Sequence, residues 1–218
     1  MPHIKTPKYC GIVRLLMLLV VWFKRDLRNF DHQPLAQAAE RGPVLCLYVV
    51  EPDFWKQSEM AGRHYAYLHD CLLDLKQQLG NISTELTIMH GDTVDCLSDL
   101  KNRVGNFALH SHEETGTGWT FERDIRVFAF SKSSQIACHQ SRQFGVKRGG
   151  INRDHWAKQW EDLMLEPQVS APSGLNFASK LLVELNQPLP DAEGLGLKPD
   201  LCPQRQKGGR GEALKLLQ

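Results

Sequence analysis

Short runs of consecutive apolar residues alternate along this chain with longer stretches in which apolar residues return every three or four positions. Leu18–Phe23 (LLVVWF) and Val44–Val50 (VLCLYVV) contain no charged residue. Strands buried on both faces read this way, because a strand with one wet face would alternate polar with apolar. Residues 85–89, 107–110 and 136–139 are shorter runs that predict three further strands. Between the runs lie helical periods. Asp31 is the expected N-cap of a helix reaching about Arg41, with Pro34 in its first turn and Gly42-Pro43 ending it. From Gly62 to about Leu79, Tyr65, Leu68, Leu72, Leu75 and Leu79 form one stripe, closed by Gly80. Asp92 caps a helix that turns Val94, Leu97, Leu100 and Val104 inward and ends at Gly105. Trp119 to about Lys132 reads as a helix with Phe121, Ile125, Phe128 and Ala129 on its apolar face.

Strands alternating with amphipathic helices predict an α/β fold. It is a doubly wound, five-stranded parallel sheet with helices on both faces, Rossmann-like in architecture. Ligands of such sheets bind beyond the carboxyl ends of the strands, so interest falls on the loops 24–30, 51–55, 90–93 and 111–118. The pattern changes after Val146. Arg153–Met164 (RDHWAKQWEDLM) reads as a short helix with Trp156, Trp160, Leu163 and Met164 on one side. Residues 166–206 are rich in Pro, Gly, Ser and Asn and read as an irregular linker. Residues 207–218 begin a helix that the chain does not finish. Residues 1–16 precede the pattern and read as an extension, so the α/β domain is placed at 17–165.

The run 12–23 follows Lys5, Lys8 and Arg14 and could pass for a signal peptide. No small-residue cleavage site follows it, and a buried strand explains it. Six cysteines form no C-x-x-C pair, which points to a reducing, cytoplasmic setting without disulfides or a zinc site. No membrane partner is expected. The 218 residues suffice for one core and a tail, and a net charge of +1 gives no global attraction to nucleic acid.

The first strand is not followed by G-x-G-x-x-G, and no P-loop, H-E-x-x-H or G-x-S-x-G occurs. The loop after it is instead polar: WFKRDLRNFDH. Arg25, Asp26 and Asp31 read as an ion-pair knot that shapes the turn, while Lys24 or Arg28 could meet an anionic ligand. His110 and His112 beside Glu113 and Glu114 could suggest a metal, but a polar strand end explains them and no metal is expected. Arg142, Lys147, Arg148, Arg153 and Lys158 surround Trp156 and Trp160. That run reads either as a nucleic-acid contact or as solvated charges around packed tryptophans.

The string VVWFKRDLRNFDHQPLAQA resembles the opening strand, loop and helix of the DNA photolyase/cryptochrome family, through Trp22, Phe23, Lys24, Arg25, Asp26, Leu27, Arg28, Asp31 and Leu35. Further matches come in order: residues 47–52, His90-Gly91-Asp92, His112-Glu113-Glu114, Arg123-Asp124, the helix with Trp156 and Trp160, and Gly208-Gly209 with Glu212-Ala213-Leu214. The resemblance implies the family's N-terminal, antenna-binding domain. Full-length members are flavoprotein lyases that use FAD and light to repair pyrimidine dimers in DNA, or they signal. Their flavin and flipped-out lesion bind a C-terminal helical domain, of which this chain would hold only the start. The chain is therefore expected to carry no catalytic residue and to be inactive alone. Its expected partners are that missing domain and, in full-length members, damaged DNA. At most it would hold an antenna chromophore, a folate or deazaflavin, in a cleft lined by Lys24, Arg28, Glu51, His112, Glu113 and Trp119. In some folate-binding members an Asn-Glu pair precedes the Arg-Asp; here Trp119 and Thr120 stand there. A light-signalling cryptochrome remains open. So does a nucleotide-binding module of the universal-stress or electron-transfer-flavoprotein type, which would need a glycine-rich phosphate loop.

Overall fold

The computed structural model describes residues 17–146, 148, 152–174, 183–198, 200 and 202–217. The expectations for residues 1–16, and for Lys147, lie outside them. Five strands form one parallel sheet: β1 (Leu18–Phe23), β2 (Val44–Val50), β3 (Leu86–His90), β4 (Phe107–His112) and β5 (Ala137–Ser141). Their order is β3-β2-β1-β4-β5, so the winding reverses beside β1. β1 is flanked on both sides, with Val21 opposite Cys46 of β2 and His110 of β4. Cores on both faces of the sheet bury the side chains of β1 and β2, which is why both are apolar throughout.

Strand parity sorts side chains between two cores. Leu19, Val21 and Phe23 face α1 (Gln33–Ala39) and α3 (Gly62–Gly80), where Leu35, Tyr65, Leu72, Leu75 and Leu79 are buried. Leu18, Val20 and Trp22 face α4 (Thr93–Val104) and α5 (Gly118–Ser133), where Leu97, Leu100 and Val127 are buried. α2 (Pro52–Trp55) occupies the loop after β2, with Pro52 in its first turn, where no N–H is needed. Asp92 caps α4 as expected, accepting from the Val94 N–H, and Gly105 ends it at φ 78°.

Two local expectations are corrected. The cap of α1 is His32, whose Nδ1 accepts from the Leu35 N–H at 3.1 Å. Asp31 instead has φ 52° and pairs through its N–H and Oδ1 with the backbone of Val169. The second correction concerns α5. Phe121, Ile125 and Phe128 are each more than half exposed, and Ala129 is exposed as well. The buried stripe is Thr120, Arg123, Asp124, Val127 and Ser131. Its helical period is regular, but buried charges rather than apolar residues face the sheet.

The expected linker is irregular, yet parts of it pack on the domain. Leu185 and Leu195 are buried. The Gln187 N–H donates to the Ile88 carbonyl at 2.8 Å, and the Asn186 and Gln187 side chains accept from Ile88 and His90 N–H groups, which satisfies the free edge of β3. α6 (Arg153–Met164) comes after β5. α7 (Arg210–Lys215) begins on α3, where Asp70 accepts from Arg205 and the Gly208 N–H, and Asp74 accepts from the Arg210 N–H. A Cβ on Gly208 would collide with the Tyr67 carbonyl, and Gly209 has φ 110°, so two glycines are required here. No helix among the described residues is long and apolar enough to cross a membrane.

Gly208→Val should release this segment from α3, seen as lost hydrogen-exchange protection at the Arg210 amide with sheet amides unchanged. A second test concerns His110. It is buried, neither ring nitrogen has a partner among the described residues, and its ring stacks on His139 at 4.7 Å. Burial, then His139 and Arg41, push its pKa down to about 4 from the ordinary 6.5. The folded state keeps the ring neutral while the unfolded chain takes up a proton, so stability is full above pH 6.5 and falls as the pH drops toward 4. His110→Leu should flatten the dependence of the urea midpoint on pH across that window.

Candidate functional site

Parity also explains which polar groups meet beyond the strand ends. Lys24 continues the Val20–Trp22 side of β1 toward α5, and Glu51 continues the Leu47–Val49 side of β2. Both reach the buried stripe of α5. Lys24 Nζ lies 3.0 Å from Asp124 Oδ2. Arg123 meets Glu51 Oε2 at 2.9 Å, Glu114 Oε2 at 2.5 Å and Asp124 Oδ1 at 3.0 Å. Arg148 meets Asp124 at 2.8 Å and also donates to the Glu114 carbonyl. Three cations thus face three carboxylates, and Thr93 Oγ donates to the remaining Glu51 oxygen. The Arg123 guanidinium lies 4.9 Å from the centre of the Trp22 ring, with Lys24 Nζ at 4.7 Å from the same ring.

Burial works against the charges of Lys24, Glu51, Asp124 and Arg123. It lowers the pKa of Lys24 despite Asp124, and raises that of Glu51 despite Arg123 and Thr93. It would raise Asp124 too, but Lys24 and Arg123 outweigh it and hold that carboxyl below its ordinary value. For Arg123, burial is outweighed by Glu51, Glu114 and Asp124, which keep the guanidinium firmly charged. The cluster is therefore stable only as a set, since removing one member strands its partners.

Asp26 anchors a second cluster on the other side of the sheet. One oxygen accepts the Lys24 N–H at 2.7 Å. The other meets His32 Nε2 at 2.8 Å and His112 Nδ1 at 2.6 Å. Burial would raise the Asp26 carboxyl, but these donors hold it well below the ordinary carboxylate range. The three groups lie close enough to chelate a metal ion. The tautomer of His32 argues against that. Its Nδ1 accepts from Leu35, so the ring proton is on Nε2 and points at Asp26. A metal on Nε2 would move that proton to Nδ1 and break the helix cap.

Two cavities open at this edge. The larger, of about 810 Å³, lies between the exits of β1 and β2, α2, α3 and residues 205–213. The second, of about 580 Å³, lies between the exits of β1 and β4, residues 143–146 and α6. A third void, of about 40 Å³, is lined by Glu51 and Arg123 together with Lys24 and Glu114. The six expected cleft residues are divided among these spaces. Lys24 borders all three, Arg28 lines the larger cavity, and His112 and Glu113 line the second. Glu51 is committed to the ion network. Trp119 borders none of the three and packs its ring 5.3 Å from that of Phe54.

The expected ion-pair knot of Arg25, Asp26 and Asp31 is replaced by other contacts. Arg25 is exposed and makes no ion pair among the described residues, Asp26 binds histidines, and Arg28 donates to the Asp31 carbonyl rather than its carboxylate. Arg148 leaves the expected basic run by turning inward. The sequence reading missed His32, Arg123, Asp124 and Thr93 as members of the site. The signal for Arg123 and Asp124 was their stripe with Thr120, Val127 and Ser131, which hydropathy assigns to solvent.

Asp26→Asn keeps the shape but removes the shared acceptor. It should lower the unfolding free energy at neutral pH by about 3 kcal/mol, read from urea denaturation. Because the folded carboxyl titrates below its ordinary value of 3.8, the Asp26 contribution is full above that pH. It is lost as pH falls through the folded pKa, where the two proteins should converge.

Residues 19–144 match the family model described as DNA photolyase. The deoxyribodipyrimidine photo-lyase of a Synechococcus strain is 25% identical over 158 residues, covering 72% of this chain and 29% of that protein. A Synechocystis cryptochrome superposes with a TM-score of 0.75 at 18% identity, over 92% of this chain and 45% of that one. An archaeal photolyase from Sulfolobus tokodaii, described with two FAD molecules, gives 0.72 at 19% identity over 92% and 46%. At such identities the superpositions speak for the fold alone. The chain spans less than half the length of each of these relatives. With the family model covering more than half of the chain, this protein belongs to the photolyase/cryptochrome family, and its parallel sheet is that family's N-terminal α/β domain.

Proposed function

We propose that this chain is the chromophore-holding α/β unit of a photolyase-like protein, and that the larger cavity is its chromophore cleft. The observation that carries this reading is the lining of that cavity. Tyr48, Phe54, Trp55 and Tyr67 supply flat apolar surface, and Arg28 and Arg210 supply positive charge, at the carboxyl ends of parallel strands. These residues fit a planar, anionic chromophore such as a folate, a deazaflavin or a flavin nucleotide. When bound, it would absorb light and pass the excitation on. The residues of this chain hold the ring against aromatic faces and neutralise its acidic tail. Arg63 and Arg205 are paired with Asp200 and Asp70, so they shape the rim and leave the anion to Arg28 and Arg210, with the exposed Arg25 at the same edge. Arg210 is itself held by the Phe30 ring at 4.7 Å.

Flavin-dependent splitting of pyrimidine dimers, damaged DNA and light signalling belong in this reading to the family's full-length members. A universal-stress or electron-transfer-flavoprotein reading finds no support, since the loop between β1 and α1 contains no glycine. Titration of the purified chain with a folate, a deazaflavin and FAD should give saturable quenching of tryptophan fluorescence by one of them. Ala213→Trp, which fills the exposed rim, should weaken it by about tenfold or more. Absence of quenching by all three, or undiminished binding by Ala213→Trp, would overturn the assignment.

A further inference from the structure

The second cavity has a chemistry of its own, although Lys24, Arg25 and Glu114 line both it and the chromophore cleft. Lys24, Asp26, His112 and Glu114 line its floor although each is more than nine-tenths buried. The facing wall is aromatic. Trp156 and Trp160 stand one turn apart on α6 and are each 43% exposed. Trp160 is seated against Gly145, where any Cβ would collide with the indole.

Most polar groups on the floor are already committed. Lys24 and Glu114 are bound to Asp124 and Arg123, and Asp26 receives three donors. Two acceptors remain, beside the Thr115 hydroxyl and the Gln143 amide that also line the cavity. His112 donates to Asp26 from Nδ1, so Nε2 of the neutral ring accepts. Glu113, the next residue, adds a half-buried carboxylate with no partner among the described residues. Arg25 brings an exposed guanidinium to the same cavity. A flat aromatic wall, two adjacent acceptors and one cation define a narrow class of ligand.

We propose that this cavity binds a nucleotide whose base carries an exocyclic amino group. The base lies along the Trp156 and Trp160 faces, as bases do on aromatic platforms. The two N–H bonds of the amino group donate to the Glu113 carboxylate and to His112 Nε2. The phosphate meets Arg25. An oxo group in place of the amino group would turn an acceptor toward two acceptors, and the ring N–H that accompanies it could satisfy only one of them.

AMP and IMP differ at C6, where an amino group becomes an oxo group, and at the adjacent N1, which gains a proton, and serve as the probes. Calorimetric titration of the whole chain should show saturable AMP binding, with IMP weaker by about tenfold or more. Glu113→Leu should bring the two nucleotides close to equal affinity, and Trp156→Ala should weaken both alike. Ala213→Trp, in the other cavity, should leave the AMP affinity unchanged. The wild-type comparison needs no variant. Equal affinities for AMP and IMP, no saturable heat from either, or selectivity that survives Glu113→Leu would overturn the proposal.

Discussion

The carboxylate of Asp26 ties together three parts of the chain that are far apart in sequence. It receives the N–H of Lys24 at the exit of β1, the ring of His32 at the start of α1 and the ring of His112 at the end of β4. A buried anion is costly unless donors surround it, and here three do. His32 has a second duty, because its other nitrogen caps α1. Its proton therefore has one place to be. The turn between β1 and α1 is held in one conformation, with Asp31 in the left-handed region and bonded to residue 169. The edges of both cavities inherit their positions from that turn.

On the opposite face of the sheet, Arg123 plays the corresponding part. Its three carboxylate partners come from the residue after β2, from the segment after β4 and from α5 itself. Burying a guanidinium is tolerable only with such complete pairing and with the Trp22 ring beneath it. The consequence is a rotation of α5. Once Arg123 and Asp124 face inward, helical geometry puts Phe121, Ile125 and Phe128 outside. An apolar face is left exposed because complementary charges decide which side of the helix is buried.

Lys24 lies where these systems meet. It borders both cavities while its ammonium is bound to Asp124. One cavity is aromatic with arginines at its edge, and the other sets tryptophans against acceptors. Two ligand chemistries at neighbouring strand ends are consistent with a sheet whose winding reverses beside β1, since crevices form where adjacent crossovers diverge. The N-terminal domain of a photolyase-type protein thus places two cavities of different lining at neighbouring strand ends.

Much of this was legible in the chain itself. The apolar runs of β1 and β2 located both strands at their observed limits, because side chains buried on both faces without polar partners must be apolar. Asp92 and Gly105 marked the ends of α4, because capping and left-handed closure are local chemistry. WFKRDLR identified the family. What hydropathy could not supply was partnership. It assigned Phe121, Ile125 and Phe128 to the core because it scores Arg123 and Asp124 as solvent-seeking, whatever stands opposite them. It made Asp31 the cap, since a histidine caps a helix only when something holds its tautomer, and that something is Asp26 together with the fold. The residues of the site were visible one by one, but their pairing spans up to 100 positions, as from Lys24 to Asp124. Local sequence therefore determined the elements. The tertiary structure alone decided which charges could be buried, because a buried charge is stable only beside a partner brought from elsewhere in the chain.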